Sequence, residues 1–191
     1  KESGKSQKMT FAAPTEFQKK KWFEFQVNPI LNTKNKIAII ISDITQKVMN
    51  AEKIKFNEHK FNQAFHFSGL GTSLTDLEGF SLDSNKELYD MLGYSKEDLK
   101  VQCTFDFTHP DDKQSDILMR QKLINKELNS FSLEKRYLHK KGYYVWCSVT
   151  ISLVRNQFDA PLFFIVQLQN ITENKKKQEI LVRQKMELED I

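Results

Sequence analysis

Cysteine and histidine are the side chains of this sequence that could hold a metal ion or act as nucleophiles. The chain of 191 residues contains two cysteines, Cys103 and Cys147, and four histidines. The histidines are His59, His66, His109 and His139. Zinc ligands occur as closely spaced pairs, and these side chains do not. We therefore predict no metal site, and we expect both cysteines to be reduced thiols of a cytoplasmic protein.

Sequence motifs of the common catalytic sites are missing. A phosphate-binding loop needs glycines at fixed spacing, and the 6 glycines of the chain do not provide that pattern. The Gly-x-Ser-x-Gly turn that presents a serine nucleophile is absent, and so is the phosphoacceptor histidine box of a histidine kinase. The sequence therefore predicts no catalytic residue and no enzyme activity for this chain.

Charge and hydropathy argue against two further kinds of partner. The net charge is only +4, and the lysine clusters are not interleaved with aromatic residues, so a nucleic-acid interface is not expected. The longest apolar runs, "IAIII" and "LFFIV", are five residues each, whereas a membrane-spanning helix needs about 20. This segment is therefore expected to contact neither nucleic acid nor a membrane.

A repeated motif marks the elements that would position functional side chains. "IAIIISDITQK" contains Asp43, and "FFIVQLQNITENK" contains Asn170, 127 positions later. Trp22 and Trp146 precede the two copies and are 124 positions apart. Each copy is an apolar strand pattern, followed by Asp or Asn, Ile-Thr and a polar helical stretch. The two landmarks recur in the same order, and the spacings of 124 and 127 positions between their copies are nearly equal. This pattern predicts a repeated unit of domain size.

Hydrophobic periodicity and capping signals predict the other elements. Alternation in "KWFEFQVNPIL" predicts a strand, and residues 44–66 predict a charged helix with a narrow apolar stripe. Ser84 with Glu87 is spaced as a capping box that begins a short helix, and a second box follows at Ser95. A longer helix and then three strands complete the pattern. This order predicts an α+β fold, an antiparallel sheet with its helices on one face.

Four stretches resemble the sequence signatures of PAS domains with a C-terminal PAC motif, which occur in bacterial sensor proteins. They are "NKELYDMLGYSKEDL", "FTHPDD", "LEKRYLHKKGYYVWCSVTISLVRN" and "IVQLQNITENKK", within residues 62–175. Two departures are small: Asn170 replaces the usual Asp, and Lys141 replaces the Asp that usually precedes the turn glycine. The resemblance implies a PAS fold, a five-stranded antiparallel sheet with short helices on one face and connector helices on either side.

The resemblance also implies four segments. Residues 1–46 resemble only the last strands of the same fold, and they are interpreted as the C-terminal strands of a preceding, truncated PAS domain. Residues 47–61 are then a helical linker, residues 62–175 a complete PAS/PAC domain, and residues 176–191 an exit connector helix. Docking of the first strands on the complete domain, or their exchange between protomers, is the alternative.

Two chromophores of the family are not expected here. In light-sensing LOV domains, a PAS subtype, a cysteine bonds to flavin. Here Cys103 lies one position before the place of that cysteine, and Thr104 occupies the place itself. Haem would need an axial histidine on the longer helix, and residues 112–128 contain none. Cys103 is therefore interpreted as a structural residue, and no cofactor is predicted.

A small-ligand cavity between the sheet and the helices is a further implication of the resemblance. Eight apolar residues are the candidates for its wall: Leu74, Leu88, Leu92, Phe105, Ile117, Leu118, Phe164 and Val166. The same residues would equally form an ordinary packed core. We therefore predict no particular ligand.

The repeated motif is interpreted as the corner through which a signal leaves the domain. Its candidate residues are Asp43, Thr45, Trp146, Asn170 and Thr172. An Asp or Asn at the end of the last strand can form side-chain hydrogen bonds around the turn into the outgoing helix. The hydroxyl group of Thr172 is predicted to cap that helix. The alternative is a helix cap with no role in signalling.

These observations predict a sensory or signal-relay PAS module of a larger signalling protein, foremost a sensor histidine kinase. The alternatives are a PAS input domain of a cyclic-dinucleotide enzyme and a ligand-free module for dimerisation or protein interaction. The effector domain is expected in the same parent chain. A weak parallel homodimer is predicted through the helices at 44–65 and 171–191, where Leu181, Leu188 and Ile191 follow a heptad-like spacing.

Overall fold

A computed structural model describes residues 7–14, 20–30 and 36–189 of the chain. The chain divides into two compact units, Lys1–Asn62 and Gln63–Ile191. Among the described residues, one sheet has three strands and the other has five. The finer boundaries that the sequence suggests, after residues 46, 61 and 175, stay predictions.

The first unit is built on a three-stranded antiparallel sheet. Its strands, in their order across the sheet, are β1 (Gln7–Pro14), β2 (Lys20–Pro29) and β3 (Ile37–Asp43). The helix α1 (Thr45–His66) follows β3. The strand predicted from alternating side chains is confirmed as β2, and the apolar run "IAIII" is confirmed as part of β3.

One face of this sheet is mostly apolar, with the polar residues Gln7, Lys21 and Asp43 at its ends. Directly paired residues share a face, and Phe25 pairs with Met9 on β1 and with Ile41 on β3. The other members of this apolar sheet face are Phe11, Phe23, Val27, Ile37 and Ile39. Its three isoleucines are each more than half exposed. Proteins rarely leave a continuous apolar face of this kind uncovered, so the face indicates a partner surface.

The second unit is a five-stranded antiparallel sheet with strand order β5-β4-β8-β7-β6. The strands are β4 (Gly71–Thr75), β5 (Ser81–Ser84), β6 (Ser130–Leu138), β7 (Tyr144–Arg155) and β8 (Pro161–Asn170). The helices α2 (Lys86–Leu92), α3 (Lys96–Val101) and α4 (Pro110–Ile124) lie between β5 and β6 in the chain, and α5 (Thr172–Glu189) follows β8. The predicted α+β architecture is confirmed.

The first and last strands of the five-stranded sheet are neighbours. β4 pairs with β8 in antiparallel fashion, and Gly71 at the start of β4 pairs with Leu168 near the end of β8. The chain therefore enters and leaves this sheet at the same end.

The hydrophobic core of the second unit lies between its helices and one face of the sheet. Leu88 and Leu92 of α2, Leu99 of α3 and Leu123 of α4 are at most 3% exposed. Alternate residues of β7 and β8 complete the same cluster: Val145, Cys147, Val149, Ile151, Phe164, Val166 and Leu168. Burying these side chains is the main source of stability for the unit.

Asn85 joins three elements at the edge of this core. Its side-chain oxygen accepts hydrogen bonds from the backbone N–H groups of Thr72 and Leu88, at 2.9 and 3.1 Å. Its amide nitrogen donates to the carbonyl oxygens of Phe65 and Leu70, at 3.0 and 2.8 Å. Because Asn85 is fully buried, these four bonds fix the end of α1, the start of β4 and the start of α2 together.

The two predicted capping boxes have different outcomes. Ser95 and Asp98 form the expected reciprocal box at the start of α3. The box of Ser84 and Glu87 is wrong by one residue, because the hydroxyl group of Ser84 is buried against Ser73 of the neighbouring strand. The next residue along the chain caps α2 instead.

Candidate functional site

Three hydrogen bonds join the end of β8 to the start of α5. The backbone N–H of Ile171 donates to the carbonyl oxygen of Trp146 on β7, at 2.8 Å. The N–H of Trp146 donates to the hydroxyl oxygen of Thr172, at 3.1 Å. The N–H of Thr172 donates to the side-chain oxygen of Asn170, at 2.9 Å. We call this arrangement the exit corner; it ties the first residue of α5 to two strands at once.

The exit corner differs from the predicted cap in its bonding. Asn170 is the last residue of β8 and Thr172 is the first residue of α5, and a capping side chain acts from before the first helical residue. The hydroxyl group of Thr172 therefore does not cap α5, and it accepts its bond from β7 instead. Asn170 satisfies the first N–H of the helix, and Thr172 connects the helix to the sheet.

The indole ring of Trp146 contacts two cations. The guanidinium carbon of Arg136 lies 5.1 Å from the ring centroid, and Nζ of Lys175 lies 5.2 Å from it, which are distances of cation–π contacts. Lys175 is on α5 and also forms an ion pair with Glu134 on β6. Trp146 and its cations therefore connect β6 and β7 with the first turns of α5.

Arg136 extends these contacts to the first turn of α4. Its Nε and Nη2 atoms donate to the two carboxylate oxygens of Asp112 at 3.0 and 2.8 Å, and its backbone N–H donates to Asp112 at 2.8 Å. Partial burial raises the pKa of Asp112, but the hydrogen bonds from Arg136 outweigh it and hold this pKa below its usual value. A continuous path of contacts therefore runs from α4 through Arg136 and Trp146 to α5.

The first unit repeats the exit corner bond for bond. The N–H of Ile44 donates to the carbonyl oxygen of Trp22 at 2.9 Å, and the N–H of Trp22 donates to the hydroxyl oxygen of Thr45 at 2.9 Å. The N–H of Thr45 donates to the carboxylate of Asp43, also at 2.9 Å. We call this the first corner. Donor, acceptor and order along the chain are the same in both corners.

The strand register of the two units also agrees. Trp22 pairs with Ala12, and Trp146 pairs with Arg136, so a shift of 124 positions in the sequence relates the two strand pairs. The cations beside the exit corner have no counterpart in the first one. Ala12 stands at the position of the arginine, and Val48 stands at the position of the lysine on α5.

A small cavity lies between the helices and the sheet of the second unit. Its volume is about 20 Å³, which is enough for a water molecule. The wall consists of Ser73, Thr75, Gly79, Ser81, Leu88, Leu92, Leu99, Gln102, Thr104, Phe107, Tyr137, Val166 and Leu168. The wall thus includes three of the predicted residues, Leu88, Leu92 and Val166. It does not include the other five, Leu74, Phe105, Ile117, Leu118 and Phe164.

The structure corrects the predicted location of Ile117 and Leu118. Their side chains are 45% and 55% exposed, so they do not line the cavity. The inward face of α4 carries Asp116, Arg120 and Leu123 instead. The apolar pair therefore lies on the solvent side of the helix, while two charged residues face the sheet.

Two cations and one carboxylate are buried together beneath α4. Asp116 and Lys135 are fully buried and form an ion pair. Nε of Arg120, a residue only 4% exposed, donates to the other carboxylate oxygen of Asp116 at 3.2 Å. The guanidinium carbon of Arg120 lies 4.9 Å from the ring centroid of Phe164 and 5.5 Å from that of Phe105. We call Asp116, Arg120 and Lys135 the buried ion cluster; sequence reasoning missed it.

Both cysteines are free thiols. Burial raises the pKa of the Cys147 thiol to about 12, so this group stays protonated and unreactive near neutral pH. Cys103 is partly buried, and its sulfur donates to the carbonyl oxygen of Glu78 at 3.2 Å. Within residues 7–14, 20–30 and 36–189, no three His, Cys, Asp or Glu side chains are grouped as a metal site. No helix in this part of the chain is long and apolar enough to cross a membrane.

Comparison with known proteins gives matches in sequence and in fold. The sequence profile of the PAS domain family matches residues 70–173. The chain is 38% identical over 127 residues to "Probable diguanylate cyclase DgcE" of Escherichia coli (strain K12), which covers 66% of this chain and 12% of that protein. It is 27% identical over 132 residues to "Sensor histidine kinase TmoS" of Ectopseudomonas mendocina, which covers 69% of this chain and 14% of that protein.

A solved structure has the same fold. It is the PAS domain of a protein from Colwellia psychrerythraea, with a TM-score of 0.56 and 23% sequence identity over 60% of this chain and 97% of that chain. The five-stranded sheet with its helices is therefore shared at low sequence identity. The two curated relatives are much longer, and the chain spans 12% and 14% of their length.

Proposed function

The chain belongs to the PAS domain family, and from this premise we propose that it is the sensory or signal-relay module of a larger signalling protein. The exit corner carries this proposal. Its hydrogen bonds connect β7 and β8 to the first residue of α5, a helix that leaves the sheet. Alternate side chains of the same two strands belong to the hydrophobic core. A change in the core that displaces either strand therefore displaces α5 as well.

A second connection between the core and α5 supports the same proposal. α4 covers the core on one side, and its residue Asp112 is bonded to Arg136. Arg136 and Lys175 contact the same ring of Trp146. A movement of α4 would reach α5 through the side chains of this path, which meet the backbone hydrogen bonds of the exit corner at Trp146. Backbone bonds and side-chain contacts of Trp146 thus both connect the core with α5, and in a signal-relay domain the outgoing helix must respond to the state of the core.

The effector of the parent protein is proposed from the relatives. The sequence favours a sensor histidine kinase, and the relative with that name supports this class. The higher identity to the protein named as a diguanylate cyclase supports the alternative, a PAS input domain of a cyclic-dinucleotide enzyme. The effector would lie in the same polypeptide, and this chain supplies input and no catalysis. The cytoplasmic location stays a prediction.

Replacing Thr172 with valine tests the proposed relay. Valine keeps the shape of threonine but removes the oxygen that accepts the bond from Trp146. In the parent protein, we expect the effector activity to change by about fivefold or more, the lower range of coupling between sites. The readout is autophosphorylation for a kinase or cyclic-dinucleotide synthesis for a cyclase.

The control for this variant is Thr172→Ser, which keeps the hydroxyl group and should keep the activity of the natural protein. Thermal unfolding of both variants checks that the domain stays folded at the assay temperature. If the serine and valine variants have the same effector activity, the hydrogen bond from Trp146 to Thr172 does not relay a signal.

The matched register supports a second proposal, on the organisation of the protein. We propose that β1, β2 and β3 are the C-terminal strands of another PAS domain, as their corner and register equal those of β6, β7 and β8. In the second unit, the corresponding face is covered by α2, α3 and α4. The occupant of the apolar sheet face would then be the equivalent N-terminal half of that domain, in the same polypeptide.

The predicted weak homodimer belongs to the same proposal. Four neighbouring apolar side chains of α5 are exposed: Ile180, Leu181, Val182 and Met186. A second α5 laid alongside, as in a short coiled coil, would cover those of them that share one face of the helix. Of the predicted seam, Leu181 is exposed as expected, while Ile191 and the side chain of Leu188 lie outside the described residues.

Sedimentation of the chain and three variants tests both parts of this organisation. We expect Leu181→Asp to abolish the dimer over a hundredfold dilution series, because a charge would enter the seam. We expect Ile39→Asp to reduce larger assemblies that form through the apolar sheet face. Ile40→Asp is the matched control, on the opposite face of β3. A strict monomer at the highest concentration, or equal behaviour of the Ile39 and Ile40 variants, would contradict the proposal.

A further inference from the structure

The stretch "FTHPDD" caps α4 with a ring nitrogen of His109. Its Nδ1 atom accepts a hydrogen bond from the backbone N–H of Asp111 at 3.2 Å, and Pro110 between them has no N–H to donate. Only a neutral imidazole can accept in this way, because both nitrogens of a protonated ring carry hydrogen. The caps of α2 and α3 are side-chain oxygens of Asn85 and Ser95, which do not change charge near neutral pH. The cap of α4 therefore depends on the protonation state of one side chain.

The groups around the ring offer His109 a second set of bonds. The carboxylate oxygen Oδ2 of Asp111 lies 3.5 Å from Nδ1, and Asp112 follows it on α4. From β6, Arg136 donates with Nη2 to the same oxygen of Asp111 at 3.2 Å and to Asp112 at 2.8 Å. From β7, the ring centroid of Tyr144 lies 4.7 Å from that of His109. A protonated His109 would therefore donate from Nδ1 to Asp111 and compete with Arg136 for one carboxylate oxygen.

Protonation would exchange the partners of the ring without leaving the ring unsatisfied. The positive end of the helix dipole disfavours a cation at the start of α4, whereas the carboxylates of Asp111 and Asp112 favour it. The side chain of His109 is 19% exposed, so a proton from the solvent can reach it. Histidine is also the side chain that changes its charge between about pH 5 and about pH 8.

The start of α4 is joined to α5 through Arg136. This arginine bonds to Asp111 and Asp112, and its guanidinium group contacts the ring of Trp146. Lys175 of α5 contacts the same ring. A change of partner at Asp111 therefore acts directly on the arginine that connects α4 with the outgoing helix.

We propose that His109 is a pH-sensitive switch at the start of α4. With a neutral ring, His109 caps α4 and Asp111 binds Arg136. With a protonated ring, the cap bond is lost and Asp111 binds the imidazolium group. The proton comes from the solvent, and no bond between heavy atoms forms or breaks. The effect on α5 rests on the proposed relay function, for which the switch names pH as the signal.

His139 is the histidine that must be distinguished from His109. Its Nδ1 atom accepts a hydrogen bond from the N–H of Lys141 at 3.0 Å, in the hairpin turn between β6 and β7. Burial and the nearby Lys141 lower the pKa of His139, so this ring stays neutral to a lower pH than an ordinary histidine. A response of α4 to pH near neutrality is therefore not expected to come from His139.

Nuclear magnetic resonance of the isotope-labelled chain between about pH 8 and about pH 5 tests the switch. We expect the amide resonance of Asp111 and the guanidinium resonances of Arg136 to titrate together with the ring of His109. After correction for intrinsic rates, amide exchange in residues 111–114 should become about fivefold faster on protonation, as for the loss of a typical cap. His109→Asn should abolish both responses, because an amide oxygen caps at either pH. His59→Asn, at an exposed position of α1, should leave both unchanged.

The effector activity of the parent protein tests whether the switch carries a signal. We expect the ratio of the activity of the natural protein to that of the His109→Asn variant to differ about fivefold between the two pH values. An Asp111 resonance that does not follow the His109 ring, or an equal response in the His109→Asn variant, would overturn the switch. A constant activity ratio, while Thr172→Val still changes the activity, would overturn the proton as the signal. If the Thr172 variants leave effector activity unchanged, the relay falls, and the resonances alone decide the switch.

Discussion

Replacing Asp116 with asparagine is expected to lower the free energy of unfolding by about 3–5 kcal/mol, the range for removing one partner of a buried ion pair. Asparagine has nearly the same shape but no charge. Lys135 and Arg120 would then both be buried cations without a carboxylate. Urea denaturation of the chain, followed by tryptophan fluorescence, measures the change. The slope of the transition should stay the same if only stability has changed.

Two comparisons make the Asp116 prediction specific. Asp90→Asn makes the same chemical change in the pair of Asp90 with Lys86, whose side chains are 58% and 80% exposed. We expect no measurable loss there, because exposed ion pairs contribute little. Replacing Asp116, Arg120 and Lys135 together by apolar residues of similar volume should be nearly neutral or stabilising. Equal losses for Asp116→Asn and Asp90→Asn would show that burial is not what gives the cluster its effect.

Replacing Asn85 with alanine is expected to cost about 3–4 kcal/mol, since four hydrogen bonds of about 1 kcal/mol each are lost. Three of them are buried, the bond to Leu70 is partly buried, and all four involve backbone groups, so water cannot replace them easily. The end of α1 depends on one of these bonds, the one to the carbonyl oxygen of Phe65. Hydrogen exchange should therefore become faster at residues 63–72 before the rest of the unit is affected.

The control for Asn85 is Asn50→Ala on α1, where an exposed bond from Gln46 is removed. This variant should unfold at nearly the same urea concentration as the natural chain, because water replaces an exposed partner. If Asn85→Ala is as stable as Asn50→Ala, then Asn85 does not hold the entry of the chain into the second unit, and α1 must be anchored by packing alone.

The elements of the second unit could be predicted because their signals are local. A strand shows a period of two, a short helix shows its cap, and the corner shows Asp or Asn followed by Ile-Thr. Each of these is set by residues within one or two turns of each other. The location of Asn170 and Thr172 follows from such signals. The bond from Trp146 to Thr172 does not, because its two ends are distant in the sequence.

The buried ion cluster could not be predicted because its charges are paired across the fold. Asp116 and Arg120 are one turn apart on α4, but Lys135 lies on β6, distant in the sequence. Ile117 and Leu118 between them suggested that the apolar side of the helix faced inward. The signal that was available is on β6, where Lys135 lies on the same face of the strand as the buried residues Phe131 and Tyr137. A lysine in a buried phase of a strand indicates a buried counter-charge.

The repeated corner has a consequence for how such a protein can grow in evolution. Every bond of a corner is made within one copy of the repeat, from the tryptophan to the threonine. A duplicated stretch of gene that ends inside the following helix thus carries a complete joint with it. Copies can be added in tandem, or lost, without a new contact having to arise at the seam. Within that helix, each inserted residue turns the next copy by about 100° about the helix axis. Selection on short insertions and deletions there would therefore act on the orientation of the next copy and not on the stability of either copy.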